Sequence, residues 1–574
     1  MSALLTDNLP LLAGSPNGIQ KLRELILELA VRGKLVPQDP SDEPASELLK
    51  RIAEEKAQLV AEGKIRKQKS LAEIGEEERP FDLPNVWDWA RLGAISELEN
   101  GDRSSNYPNK SHLVEHGIPF INAGHLVGGR VEMVGMNYIT RERFDLLRSG
   151  KVVDGDVLFC LRGSLGKSAL VSSVSEGAIA SSLVIVRASQ GISKAYLMHY
   201  FSSLLAYQMV KKYDNGTAQP NLSAGDLGKF LIPIPPLAEQ HRIVAKVDEL
   251  MTLCDRLEAR QADAESAHAR LVQALLDSLT QTSDADDFAA SWQRLAEHFH
   301  SLFTSESSID ALQQTLLQLA VMGKLVPQDP SDEPARELAE RIRAAKQGLL
   351  VESKARKQKE LAADLLPTPP YEIPAGWEWQ SIDDVLLVTG GVTLGRKLVG
   401  RELVAKPYLR VANVQRGHLD LNEIKEIEVP ENEVEKYLLC NGDLLITEGG
   451  DWDKVGRTAI WRDELPECLH QNHVFRARAV TAEWVSRWAE LYLNSAPARE
   501  YFAGSSKQTT NLASINMTQL RACAFPLPPL AEQHRIVAKV DQLLALCDQL
   551  KSRLTAARQL HERLACALVE QTVA

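Results

Sequence analysis

From Leu237 onward the apolar positions Ile243, Val247, Leu250, Cys254 and Leu257 are spaced alternately by four and three residues. That is the stripe of one helix face and the seam of a coiled coil. A second stripe runs through Ile536, Val540, Leu543, Cys547, Leu550 and Leu554. Pro233, Pro235 and Pro236, and Pro526, Pro528 and Pro529, forbid helix just upstream and set a sharp start for each. A helix of about 40 residues at ~1.5 Å per residue would be on the order of 60 Å long. Two such helices are expected to pack antiparallel as a rod. Shorter amphipathic helices are predicted near 18–32 and 308–322, each ending at a Gly-Lys, Gly33 or Gly323, before a Pro-rich turn. Ser278–Asp287 is polar and reads as a loop. Elsewhere the period changes to short β-branched runs, Val152–Phe159, Leu183–Arg187 and Asp443–Thr447, broken by glycines. Some helix is expected around Ala195–Lys212 and Glu483–Ser495. These segments predict two globular α+β domains of about 150 residues each.

The chain repeats itself. LAVRGKLVPQDPSDEPA at 29–45 returns as LAVMGKLVPQDPSDEPA at 319–335, differing only at Arg32 against Met322, an offset of 290. The same offset relates Ile19 to Ile309, RKQK at 66–69 to RKQK at 356–359, and Pro84, Trp87 and Trp89 to Pro374, Trp377 and Trp379. PPLAEQHRIVAKVD stands unchanged at 235–248 and 528–541, an offset of 293. The parts between share a faint skeleton: PFINAGHLVGGRV from Pro119 against PYLRVANVQRGHL from Pro407, and GDVLFCLRGSLGKSAL from Gly155 against GDLLITEGGDWDKVGRTAI from Gly442. This divides the chain into a repeated helical region at 1–80, a variable domain at 81–234, a central repeated region with a long helix at 235–371, a second variable domain at 372–527 and a C-terminal long helix at 528–574. Surfaces kept alike suit two copies of one partner related by a pseudo-twofold axis. Rewritten surfaces suit two different targets.

Composition narrows the class without naming an activity. The 574 residues carry 65 Lys and Arg against 77 Asp and Glu, a net charge of -12, which excludes a uniformly basic coat. No apolar run approaches the ~18 residues of a membrane span, the opening MSALLTDNLPLLAG lacks a basic signal-peptide region, and seven scattered cysteines form no CxxC pair. A cytoplasmic chain without a membrane partner is expected. GSLGKSA at 163–169 holds Leu161 where a phosphate-cradling loop needs glycine. TPPY at 368–371 holds Thr368 where a methyltransferase would place Asp or Asn to accept from the adenine amine, and no cofactor loop precedes it. There is no HExxH, no GxSxG and no Cys/His set at metal spacing. A self-contained modification or restriction polypeptide lacks its motifs here, and a plain coiled-coil scaffold leaves the two unlike glycine-rich domains unexplained.

The paired PPLAEQHRIVAKVD and GKLVPQDPSDEPA blocks around two dissimilar segments resemble the specificity subunit of a type I restriction-modification system, over nearly the whole chain. The resemblance implies that each variable segment is a target recognition domain reading one half of a split double-stranded DNA site. It implies that the repeated helices set the spacing and dock two modification subunits, which bind S-adenosylmethionine and methylate adenine. Restriction subunits using ATP and Mg would join them, so this chain would be non-catalytic and bind no cofactor itself. Docking candidates are Glu239, Gln240, His241 and Arg242, and Glu532, Gln533, His534 and Arg535, in the two AEQHR strings.

Base readout needs Arg or Lys for guanine and Asn or Gln for adenine. In the first domain Asn122, His125, Arg130, Arg162, Lys167 and Asn221 sit at glycine-bounded loops and strand ends; in the second, Arg410, Asn413, Gln415, Arg416, Arg457, Lys507, Gln508 and Asn511 do. The RKQK runs are candidates for phosphate contacts. Tyr371–Pro526 holds 17 basic and 22 acidic residues, and Phe81–Ile232 holds 15 and 14. Neither domain supplies the positive field that usually dominates DNA affinity, so the grip is expected to depend on partners.

Overall fold

The computed structural model describes residues 14–65, 71–172, 174–216, 219–282, 285–352, 361, 369–396, 400–450, 454–509 and 512–573. Two compact units emerge, one of residues 1–264 with 557–574, the other of 265–556. The RKQK runs at 66–69 and 356–359 lie outside the described residues.

Six helices form the repeated frame: α1 (Gly18–Val31), α2 (Ala45–Ala61), α3 (Leu237–Gln281), α4 (Glu306–Val321), α5 (Ala335–Glu352) and α6 (Leu530–Val573). Each unit takes the first part of one long helix and the last part of the other. In the first unit Ile243, Val247, Leu250 and Cys254 of α3 join Ile19, Leu22 and Ile26 of α1 and Ala565 of α6 in one core. In the second, Cys547 of α6 joins Ile309, Leu312 and Leu316 of α4 and Val272, Leu276 and Leu279 of α3. The alternating stripe is thus core packing from its first turns. Ile243 and Ile536, both fully buried, sit in the cores that also hold the exit strands of the variable domains.

Each variable domain is entered and left through one two-stranded antiparallel ribbon, Asp88–Arg91 with Leu231–Ile234 and Glu378–Ser381 with Ala524–Leu527. Trp89 faces Pro233 and Trp379 faces Pro526 in register. Proline fits because a two-stranded ribbon has only edges. Beyond the ribbon, among the described residues, the first domain carries a six-stranded and a five-stranded sheet, and the second one four-stranded and two three-stranded sheets.

The faint skeleton shared by the two domains is an ion pair. Gly155 (φ 84°) and Gly442 (φ 88°) take left-handed backbone that lets the chain turn into Asp156 and Asp443. Asp156 receives Arg187 through Nε at 3.1 Å, and Asp443 receives Arg478 through Nε at 2.7 Å. Both arginines lie on the strands Leu183–Ala188 and Val474–Ala479. A second twin is lysine: Lys56 Nζ donates to the carbonyls of Gly93 and Ser96, and Lys346 Nζ to those of Asp383 and Leu386. Each caps the carbonyl end of a four-residue helix, Leu92–Ile95 or Ile382–Val385. Burial lowers the Lys56 pKa.

Three local expectations need correction. The run Val152–Phe159 is two strands, Lys151–Val152 and Val157–Cys160, because the Gly155 turn interrupts it. Ala195–Lys212 is two helices, Lys194–Phe201 and Leu204–Tyr213, since Ser203 accepts from Ala206 N and starts a new helix. The polar stretch Ser278–Asp287 is not one loop: α3 continues to Gln281 and helix resumes at Ala285. Leu279 is fully buried there, and the Ser278 and Thr280 hydroxyls donate back to the Leu275 and Asp277 carbonyls, so polar composition did not break the helix.

Candidate nucleic-acid interface

The identical AEQHR strings do first a different task from the one their sequence suggested. Glu239 and Gln240 are fully buried, and Glu532 and Gln533 are 1% exposed. Glu239 accepts from Trp87 Nε1 at 2.9 Å and from Gln38 Nε2 at 2.6 Å; Glu532 accepts from Trp377 Nε1 at 2.9 Å and from Gln328 Nε2 at 2.6 Å. Arg242 and Arg535 reach Asp42 and Asp332, each at 2.6 Å. Gln240 receives Ser193 N and donates to the Pro235 carbonyl; Gln533 donates to that of Pro528. The GKLVPQDPSDEPA block and the PPLAEQHR block are therefore two sides of one internal clamp, built twice. As docking residues Glu239, Gln240, Glu532 and Gln533 are corrected, because their side chains are buried inside the fold. Of the eight, His241 and His534 are exposed, and Arg242 and Arg535 are half-buried in their ion pairs. Desolvation raises the carboxyl pKa of Glu239 and of Glu532, against the lowering effect of the indole donors.

The DNA-reading candidates divide in the same manner. Asn122 caps a turn by accepting from Gly124 N, and His125, 7% exposed, accepts Asn122 N on Nδ1. Asn413, 3% exposed, receives Arg410 N and donates to the carbonyls of Asp420 and Glu423. His125 and Asn413 close equivalent turns and hold loops. Arg410 donates to the Glu423 carbonyl. Gln415 receives Arg457 NH1 at 2.5 Å while donating to the Ala412 carbonyl, so these two form a braced pair. Arg416 lies half-buried beside them in sequence. Arg130 and Lys167 are exposed. Lys507 and Gln508 lie on the strand Lys507–Thr509, and Asn511 lies outside the described residues.

One corner recurs in both domains. In the first, the turn after Val157–Cys160 meets residues 220–222: Arg162 bridges Asn221, Gly163 N donates to the Pro220 carbonyl, and Leu222 N donates to that of Leu161. In the second, Gly449–Gly450 pairs with Ala513–Ser514, which continues the hairpin from Lys507–Thr509. Both corners precede a short helix capped by Ser223 or Asn516. The frame is shared, and the side chains it displays are not.

The description "Type I restriction modification DNA specificity domain" matches residues 84–265 and 374–557. The chain belongs to that family. The EcoAI type I specificity subunit of Escherichia coli is 37% identical over 97% of this chain and 94% of its own length. The EcoEI specificity subunit of Escherichia coli is 34% identical over 96% and 93%. Among solved structures, an HsdS subunit from Thermoanaerobacter tengcongensis aligns over 86% of this chain and 98% of its own, at 20% identity and a TM-score of 0.42, a distance at which local geometry does not transfer.

In this specificity chain the twin features that face solvent include apolar ones as well as His241 and His534. Leu253 and Leu546 are 41% and 48% exposed, and Leu271 and Leu564 are 53% and 46% exposed; both pairs are separated by 293 residues. They flank the buried seam, and the signal that could have found them is an apolar residue repeated in both copies off the seam. Among the described residues no cluster could hold a metal, and no helix is long and apolar enough to cross a membrane.

Proposed function

We propose that this chain is the DNA-reading and assembling subunit of its type I complex, with each variable domain reading one half of an asymmetric bipartite site. The observation that carries this reading is the contrast on one frame: identical clamps and twin exposed leucines, but a corner rebuilt with different side chains in each domain. Two modification subunits dock on the twin faces at Leu253 with His241 and at Leu546 with His534. Restriction subunits join that core. Adenine methylation and ATP-driven cleavage belong to the partners, which carry S-adenosylmethionine, ATP and Mg; this chain contributes no catalytic group.

The test is to combine the chain with candidate methyltransferase subunits and sequence the methylated adenines. Methylation at one split motif that requires both proteins is the expected result. Methylation without this chain, or at no defined motif, refutes it. Inserting about four residues into α3 near Arg260 should lengthen the non-specific spacer or abolish binding, and an unchanged spacer would sink the ruler role. The isolated chain should bind DNA weakly and gain affinity with modification subunits, because its first domain is nearly neutral and its second acidic.

A further inference from the structure

Arg162 stands where the first domain's corner is most firmly built. The described residues around Asn221 are tied to one another: the Asp214 carboxylate accepts Gly216 N at 3.0 Å and Asn221 N at 2.9 Å, and Asn215 N donates to the Asn221 carbonyl at 3.0 Å. Those two backbone donors hold the Asp214 pKa below the usual carboxylate range, so its charge is committed to the loop. Asn221 then serves as a two-sided brace. Its Nδ2 donates to Asn215 Oδ1 at 2.8 Å, and its Oδ1 accepts Arg162 Nε at 3.1 Å. The arginine backbone is tied by the antiparallel bridge to the same residue.

An arginine held through Nε keeps its two terminal amino groups as a fork, and among the described residues those nitrogens meet no partner. Arg162 is exposed, as are Lys167 and Lys211. A guanidinium fork presented this way matches the O6 and N7 acceptors of guanine in the major groove. Bracing matters because a free arginine loses rotamer freedom on binding, whereas a braced one has already lost it. The equivalent position in the second domain is Gly449, which offers backbone only.

We propose that Arg162 reads a guanine in the half-site of the first domain and that Asn221 is its positioning residue. This rests on the DNA-reading function proposed above and assigns it a residue and a base. The second domain, with glycine at that corner, takes its readout from elsewhere.

The test uses the full chain assembled with its modification subunits and compares methylated-motif profiles of the unaltered chain, Arg162→Ala, Arg162→Lys and Asn221→Ala. Both Arg162 variants should lose discrimination at one G·C pair of one half-site by roughly tenfold or more, leaving the other half-site unchanged. Lysine keeps the charge but not the fork, and it covers the event that the alanine variant folds poorly. Asn221→Ala should weaken the same preference by about threefold and no other, an effect that simple loss of stability would not confine to one base pair. Uniform weakening on all sequences would make Arg162 a phosphate contact and overturn the proposal, as would an unchanged motif. A complex of unaltered chain with no motif at all would instead refute the DNA-reading function itself.

Discussion

The clamp and the corner are both assembled from segments far apart in sequence, yet one is identical in the two halves and the other is not. In the clamp, a buried carboxylate accepts an indole and an amide donor whose positions are fixed by a tryptophan and a glutamine on a separate block. Changing any member strands a buried polar group, so the set varies together or not at all. At the corner, the load is borne by backbone pairing, Arg162 with Asn221 and Gly449 with Ser514, and the side chains are free to differ. Identity in this chain marks interlocked burial at least as much as it marks a shared partner.

Breaking one clamp should have the largest effect. Glu239→Ala leaves the Trp87 indole N–H and the Gln38 amide without their acceptor and should destabilise the first unit by about 2–4 kcal/mol. Glu532→Ala should do the same in the second, and hydrogen exchange resolved by segment would show whether the losses are equal and separate. Gly33→Ala and Gly323→Ala come next, at about 1–3 kcal/mol each by thermal melting. Both glycines have positive φ, 69° and 72°, and a methyl group would sit 2.5 Å from Pro84 or Pro374 Cγ.

The clamp also has a pH signature. A carboxyl whose folded pKa is raised binds protons on folding, so its contribution is full below the unfolded value and is lost as pH rises through the folded one. Desolvation raises both Glu239 and Glu532. Glu239→Gln should therefore flatten the pH dependence of opening in the first unit above the ordinary carboxylate range, measured on the Trp87 indole N–H; an unaltered slope would show that Glu239 is not its source. Smallest in stability is Leu253→Ala or Leu546→Ala, within about 0.5 kcal/mol because both are half exposed. Their effect should fall instead on association with modification subunits, by roughly tenfold in a binding titration if these leucines anchor the interface.

Much of the frame was legible beforehand because it rests on local rules. Periodicity located α1, α3, α4 and α6, and the prolines set the starts of α3 and α6. Composition misled at Ser278–Asp287, where hydroxyls that bond back to helix carbonyls resemble loop residues in sequence. Of the reading candidates, His125 and Asn413 turned out to be turn-closing residues. Residue type alone does not separate a group that holds a loop from one the loop presents.

By itself the sequence determined the duplication, the helical stripes, the two unlike domains and the family, all of which depend on spacing and on strings repeated along the chain. Only the tertiary structure decided what the repeated strings are for. Whether Glu239 faces a partner or Trp87 depends on a contact across 152 residues, and no local pattern encodes which polar atom of a helix is buried. The same holds for Arg162: its residue type made it a candidate, but only the fold shows that Asn221, 59 residues away, holds its guanidinium.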